Sequence, residues 1–284
     1  MLLKEEQVKF SRRSLLALGA AVPALSLLPQ PGTALAALPA VNMEAVLKAA
    51  QWDPAKADSA VTAGAGPSVK LVETALRNLG LLEASYVDGH FGTRTVTAYA
   101  QWQKELGYSG IDATGLPGKT SLTKLGDGQF TLTGIVSVGA RTTHQGFPVN
   151  ARTLAMLKAA QVRSGLTFAV EQGSYSPGTD PTSAGTHDGG GALDLDAEAL
   201  TAAKRTAAVT ALRQVGFAAW LRTPSQGDWP MHIHAIAISD TDLSASAQKQ
   251  VGSYYEGRNG LANNATDDGP KVSKVTYEEY LRSL

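Results

Sequence analysis

The chain has 284 residues, 43% hydrophobic and 18% charged, with 25 basic against 25 acidic side chains and no cysteine. That length admits two domains, and the composition is that of an ordinary globular chain. Balanced charge offers no electrostatic grip on nucleic acid or anionic lipid, and the lack of cysteine excludes disulfides, thiolate metal sites and cysteine nucleophiles together.

Residues 1–36 read as a targeting segment rather than as part of the fold. Lys4, Lys9, Arg12 and Arg13 precede an apolar run from Leu15 to Leu28, followed by Pro29, Pro31 and the small-residue site Ala34-Leu35-Ala36. Basic, apolar and small-residue regions in that order describe a cleaved signal peptide, and the run is short for a membrane span. Ser11-Arg12-Arg13-Ser14-Leu15-Leu16 resembles the twin-arginine export signal, with Leu15 where phenylalanine is commoner. The resemblance implies a chain exported already folded, secreted or held at the cell wall, with no stable membrane insertion once the signal is removed.

Residues 37–67 are alanine-rich. Val46, Leu47 and Ala50 recur at helical spacing and predict a short helix over 43–52, and Thr62-Ala-Gly-Ala-Gly-Pro67 reads as a linker. Residues 68–126 predict a small helical unit. Ser68 is the expected N-cap of a first helix with Val69, Val72, Leu76 and Leu79 on one stripe, ended by Gly80. Asp88-Gly89 and Gly92 mark a turn; Val96, Tyr99, Trp102 and Leu106 line a second helix that opens at Thr93 or Thr95. A second turn over 112–118 precedes a last short helix at 120–125. Val87-Asp-Gly-His-Phe-Gly-Thr-Arg-Thr95, Tyr99-Ala-Gln-Trp-Gln103, Gly118-Lys-Thr120 and Leu125 together resemble the three-helix peptidoglycan-binding domain. The resemblance covers nearly the whole unit and implies peptidoglycan as a partner.

Gly126-Asp-Gly128 marks a boundary, and residues 130–256 change to short apolar runs broken by glycine and proline, the pattern of an α+β domain. Strands are predicted at 130–138, 166–171, 217–221 and 232–238. Helices are predicted at 150–163, where Leu154, Leu157 and Ala160 face inward, at 198–215 and at 245–255. Residues 257–284 are polar, with a short helix at 277–281, and are expected to dock loosely or to be mobile.

Three of the five histidines fall in two stretches, Gly185-Thr-His-Asp-Gly-Gly-Gly-Ala-Leu-Asp194 and Trp229-Pro-Met-His-Ile-His234. His187 and Asp194 cannot share an ion from one helix, because positions seven apart lie two turns apart and three glycines oppose helix. A loop returning into a strand solves this, the glycines letting backbone pass close to a metal and Leu193 and Leu195 anchoring Asp194. His232 and His234 alternate in an apolar strand, so both rings face one side, about 7 Å apart at their origins. Two imidazoles and a carboxylate with an open fourth position suit a catalytic Zn(II), the ion this ligand type favours over other divalent cations. His232 on its own reads as a satisfied core histidine and, with a metal beside it, as a site residue; His187 or Asp194 alone reads as a turn former. Asp196 shares Asp194's face and reads as a solvated or capping carboxylate; His90 and His144 read as surface residues, and Trp229-Pro230 as cleft wall.

The constellation resembles the zinc D-Ala-D-Ala carboxypeptidases and related peptidoglycan endopeptidases of the LAS type, on His187, Gly190-Gly-Ala192-Leu-Asp194 and His232-Ile-His234. The resemblance implies an α+β metallopeptidase domain with a central antiparallel sheet and one Zn(II) per chain. It makes His187, Asp194 and His234 the ligands and His232 the base or transition-state stabiliser, acting on peptidoglycan stem peptides. Two positions depart from the family pattern. Gly185 stands where serine is common, with Ser183 two residues before it. Tyr175 stands where an arginine helps hold substrate, leaving Arg141 and Arg222 as the arginines that could compensate. Tyr175 and Ser183 are therefore candidate substrate contacts. The alternatives are a peptidoglycan-binding protein whose peptidase-like domain holds metal or peptide without turnover, and a metal-dependent hydrolase of another wall polymer.

Overall fold

The computed structural model describes residues 37–57 and 60–284; the export signal expected over 1–36 lies outside them. A short strand, β1 (Ala40–Asn42), leads into α1 (Met43–Trp52). Asn42 starts the helix, its side-chain oxygen accepting from the Ala45 N–H. Helices α2 (Gly66–Asn78), α3 (Thr93–Glu105) and α4 (Lys119–Leu125) follow. Ser68 does not cap α2. Pro67 in the first turn starts the helix earlier, and the buried Ser68 hydroxyl accepts from the Asn42 N–H at 3.0 Å. Val69, Val72 and Leu76 are buried, but Leu79 is 46% exposed, because the helix ends at Asn78 before that position turns inward.

The strand expected over 130–138 is cut to β2 (Thr131–Thr133), which pairs in parallel with β1. Gly134 at φ +56° turns the chain away, and its carbonyl accepts from the Glu44 N–H. A hairpin with no counterpart among the predicted elements, β3 (Arg141–His144) and β4 (Phe147–Asn150), precedes α5 (Ala151–Ser164). Asn150 caps α5 by accepting from the Thr153 N–H at 2.8 Å, and Gly165 ends it in the left-handed region at φ +67°.

The remaining elements are β5 (Val170–Gln172), β6 (Ala192–Asp196), α6 (Ala202–Gln214), β7 (Phe217–Arg222), β8 (His232–Ala237), α7 (Ala245–Tyr255) and α8 (Tyr277–Arg282). α6 starts later than the 198 expected, where the Thr201 side chain accepts from the Lys204 N–H. β5 is confined to three residues; before it, the Phe168 N–H bonds the Gln161 side chain rather than a strand. The chain is α+β, with its largest sheet four-stranded, antiparallel and ordered β5-β6-β8-β7.

Alternation divides this sheet cleanly. Leu193, Leu195, Phe217, Ala219, Ile233 and Ala235 pack on one face with α5 and α6. Each such Leu, Ile or Phe stabilises the fold by about 1.5–3 kcal/mol. The other face is apolar at one end, where Ala192, Ala218, Trp220 and Ile236 join the core formed with α1–α4 and α7. At its other end stand Asp194, His232, His234 and Arg222. Leu38–Leu284 forms one compact unit.

The C-terminal stretch is not loose. Arg213 pairs with Asp267 at 2.9 Å, Arg152 with Glu278 at 2.8 Å and Lys48 with Glu279 at 3.0 Å. Thr276 and Glu279 close a capping box on α8. Its polarity serves partners on α1, α5 and α6, which local composition does not reveal. Among the described residues no helix is long and apolar enough to cross a membrane.

Candidate metal centre

Register sets the centre. Asp194 of β6 lies directly opposite His234 of β8, and Asp196 opposite His232; opposed residues share a face with their side chains in contact range. His187 arrives from the loop ahead of β6. Its ligand atom, that of His234 and a carboxylate oxygen of Asp194 lie within 4.8 Å of one another.

The hydrogen bonds behind these rings fix which nitrogen each presents. His187 is fully buried, and its Nδ1–H donates to the Gly173 carbonyl at 2.9 Å. Nε2 is left facing Asp194 Oδ2 at 3.2 Å. The His234 ring lies between two oxygens, Gln250 Oε1 at 2.9 Å from Nε2 and Asp194 Oδ1 at 2.7 Å from Nδ1, and the tautomer that donates to Gln250 leaves Nδ1 as the ligand atom. Two buried imidazole nitrogens that face one shared carboxylate form a donor set that fits one metal ion. This buried group can hold such an ion.

His232 is placed differently. Its Nδ1–H donates to the Pro230 carbonyl at 2.9 Å, its Nε2 stands 3.8 Å from Asp194 Oδ1, and the Trp229 ring meets it edge-on. It borders the trio and keeps one nitrogen free.

The charges are strongly coupled. Burial alone pushes Asp194 upward, but His234 and His187 together outweigh it and hold the carboxyl far below the usual carboxylate range. Burial dominates at His234 and lowers its ring to about 4, against the pull of Asp194, so it is neutral at pH 7. Burial also opposes charge on His187, yet Asp194 and the Gly173 carbonyl raise it above the ordinary histidine value.

The trio forms part of the wall of a cleft of about 710 Å³, together with His232, Trp229, Arg222, Glu171 and Ser183. Ser183 thus reaches the cleft, though its hydroxyl donates to the Asp180 carbonyl at 2.8 Å. Tyr175 is not among the lining residues. Its hydroxyl donates to Asp242 at 2.6 Å and accepts from Asn150 at 3.3 Å, its N–H donates to the Gly189 carbonyl at 2.7 Å, and Arg141 lies over its ring. Both the expected arginine position and Arg141 are thereby engaged in holding the loop.

The glycine run packs away from the ligand atoms. A Cβ on Gly189 would lie 2.1 Å from the Asp242 carbonyl oxygen, and the Gly190 N–H donates to that same carbonyl at 2.7 Å. The glycines let the loop press against the turn after β8, and that contact aims His187. Asp196 caps no helix: its side chain accepts from the Glu198 N–H in a turn, and Thr201 caps α6. His90 is not a surface residue; it is 6% exposed, with Nδ1 against the Ala60 carbonyl, because the turn at Gly89 folds it inward. His144 is half-buried on β3. Gln250 escaped sequence reasoning altogether: it sits on α7, sixteen positions after the ring it orients, and no local pattern marks it. Arg222 was visible only as a spare arginine, whereas its register opposite His232 places it in the cleft.

No family model, no curated protein and no solved structure matches the chain.

Proposed function

We propose that this chain is an exported zinc-dependent peptidase that hydrolyses the peptide stems or cross-links of peptidoglycan, as a D,D-carboxypeptidase or an endopeptidase. The observation that carries the reading is the convergence of His187 Nε2, Asp194 and His234 Nδ1 at a cleft wall, with the free nitrogen of His232 beside them. A His2Asp set with an open position is the ligand chemistry of catalytic zinc. When bound, zinc polarises a carbonyl and lowers the pKa of water toward about 7.

The protein's own groups have distinct tasks in this reading. Gly173 and Gln250 fix the ligand tautomers. The Pro230 carbonyl holds the Nδ1–H of His232, so that its Nε2 can take a proton from the attacking water and give it to the departing amine. Water adds its hydroxyl to the scissile carbonyl carbon, the C–N bond breaks, and the amine leaves protonated. Trp229 covers one side of His232 and limits its exposure to bulk water. The stretch over 68–126, with its likeness to wall-binding domains, supports peptidoglycan as the polymer on which the chain is held.

A second reading, a wall-binding protein that holds metal or peptide without turnover, draws on Gly185 and on Tyr175, whose hydroxyl is committed to Asp242. The experiment that separates them incubates the full chain with purified peptidoglycan and with free stem peptides, with and without chelator, alongside His234→Ala. Chelator-sensitive release of D-alanine or cutting of cross-links, absent in His234→Ala, is expected. Stoichiometric zinc and wall binding with no product would establish the binder instead.

A further inference from the structure

The cleft contains a cation for which the metal centre has no use. Arg222 ends β7 directly opposite His232 on β8, on the face that carries His234 and Asp194. Its guanidinium lies 5.0 Å from the centre of the Trp220 ring, and Nη1 donates to the Asn259 carbonyl at 2.7 Å. Nη2 is buried and has no hydrogen-bond partner. Among the described residues no carboxylate pairs with Arg222: Asp194 is engaged by the histidines, and Asp267 by Arg213. The whole residue is 3% exposed, yet it lines the cleft. Burial lowers the guanidinium to about 10, which leaves it cationic at neutral pH.

A buried charged donor without a partner is costly, and such groups are normally paired. A planar fork of N–H donors suits a carboxylate above other ligands. The sheet order indicates which carboxylate. The ligand trio sits over β6 and β8, and Arg222 belongs to the next strand, β7. Neighbouring strands are about 4.8 Å apart, and an extended peptide advances about 3.4 Å per residue. A scissile carbonyl at the trio therefore brings Arg222 level with the first residue beyond the cut. On the opposite side, toward β5, the cleft wall carries Glu171, which repels an anionic terminus. The polarity across the sheet fixes the direction in which a peptide lies.

Resting on the peptidase reading, we propose that Arg222 receives the free α-carboxylate of the residue to be released. The cleft is then built for peptide termini, and the chain acts as a carboxypeptidase in preference to cutting internal cross-links. Water is the co-reactant: its hydroxyl goes to the new C-terminal carboxyl, and a single amino acid leaves with its amine protonated.

The test compares a stem peptide ending in D-alanyl-D-alanine as its free acid, the same peptide as a C-terminal amide, and a free-acid peptide with its side-chain carboxylates amidated. Hydrolysis by the zinc-loaded full chain is one readout; calorimetric binding to the chelator-treated chain is the other. The free acid should bind and react about tenfold or more better than the C-terminal amide, side-chain amidation should change little, and Arg222→Gln should remove the difference. Equal treatment of acid and C-terminal amide by the unaltered chain would overturn the proposal, and that comparison needs no variant to fold. A loss that follows side-chain amidation would overturn it too, as would an acid preference that survives in Arg222→Gln. If neither peptide is cleaved, the peptidase reading fails, and the binding readout still decides the role of Arg222.

Discussion

At the scale of single residues, the centre depends on hydrogen bonds that hold rings from behind. Gln250 Oε1 lies 2.9 Å from His234 Nε2, and with Nδ1 on a metal it takes the Nε2–H and holds the ring in that tautomer. Gln250→Leu removes that acceptor without charge or much loss of volume, and the ring is then free to present the wrong nitrogen. Zinc affinity should fall about 10- to 100-fold with the fold intact, as read by titration against a competing chelator; an unchanged affinity would show that the ring is held by packing alone. Proton linkage follows from His187, which Asp194 raises above the ordinary histidine value despite its burial. In the metal-free chain the ring binds a proton below that raised value, and a metal must displace it. Zinc binding should therefore release more protons at pH 6 than at pH 8, and affinity should fall as pH falls, measured by calorimetry in buffers of different ionisation enthalpy. His234, held down to about 4, is already neutral across that range and adds nothing to the difference. The ligand types and the alternation of His232 and His234 were legible in the sequence because both are local. Gln250, Gly173 and the turn of Tyr175 toward Asp242 were not, because each is a contact between elements far apart in the chain.

At the scale of elements, the site is the meeting of a loop with two registered strands. Helices with a clear apolar period were readable: α1 falls where Val46, Leu47 and Ala50 place it, and α7 over the 245–255 expected. Short pairings such as β1 with β2 and β3 with β4 were not, since three or four residues carry too little periodicity, and a partner ninety positions away cannot be read locally. The glycine run was read correctly as a non-helical loop, but the close approach it permits is to backbone rather than to metal. A Cβ on Gly189 would lie 2.1 Å from the Asp242 oxygen and 2.7 Å from the Ser244 nitrogen. Neither atom is the flexible end of a side chain, so Gly189→Ala must shift the loop or the turn. This substitution should cost about 2–3 kcal/mol by the overpacking mechanism and weaken zinc binding through His187. Gly178→Ala is the comparison for strain alone, having a left-handed φ of +69° but open space around its Cβ; it should leave zinc binding unchanged. Equal loss of zinc affinity in both would show that backbone strain, and not the packing of the loop, governs the centre.

At the scale of the whole molecule, the helices over 66–125 and the sheet that carries the centre share a core. Leu76, Tyr99 and Leu122 belong to the same buried cluster as Val251 and Tyr254 of α7 and Ala192, Trp220 and Ile236 of the sheet. The C-terminal stretch ties in from the other side. Arg213, 2% exposed, donates to the Ala219 and Pro270 carbonyls as well as to Asp267, so Asp267→Ala strands a buried cation. That change should lower stability by about 3–5 kcal/mol, read by urea denaturation. It should act on one transition rather than on a separate C-terminal one. A core shared in this way makes the two halves open together, because unfolding the helices uncovers the apolar end of the sheet face, and its burial is lost at the same step. Tryptophan fluorescence reports on both halves, through Trp52 and Trp102 on one side and Trp220 and Trp229 on the other, whereas retained zinc reports on the sheet alone. Both signals, and far-UV circular dichroism, should change at one denaturant midpoint in the full chain. Leu76→Ala, a change in the shared core on α2, should lower that midpoint for the zinc signal as much as for the helical one, by about 2–5 kcal/mol in stability. A zinc-retaining state that outlives the loss of helix would show instead that the sheet and its centre stand without the helices.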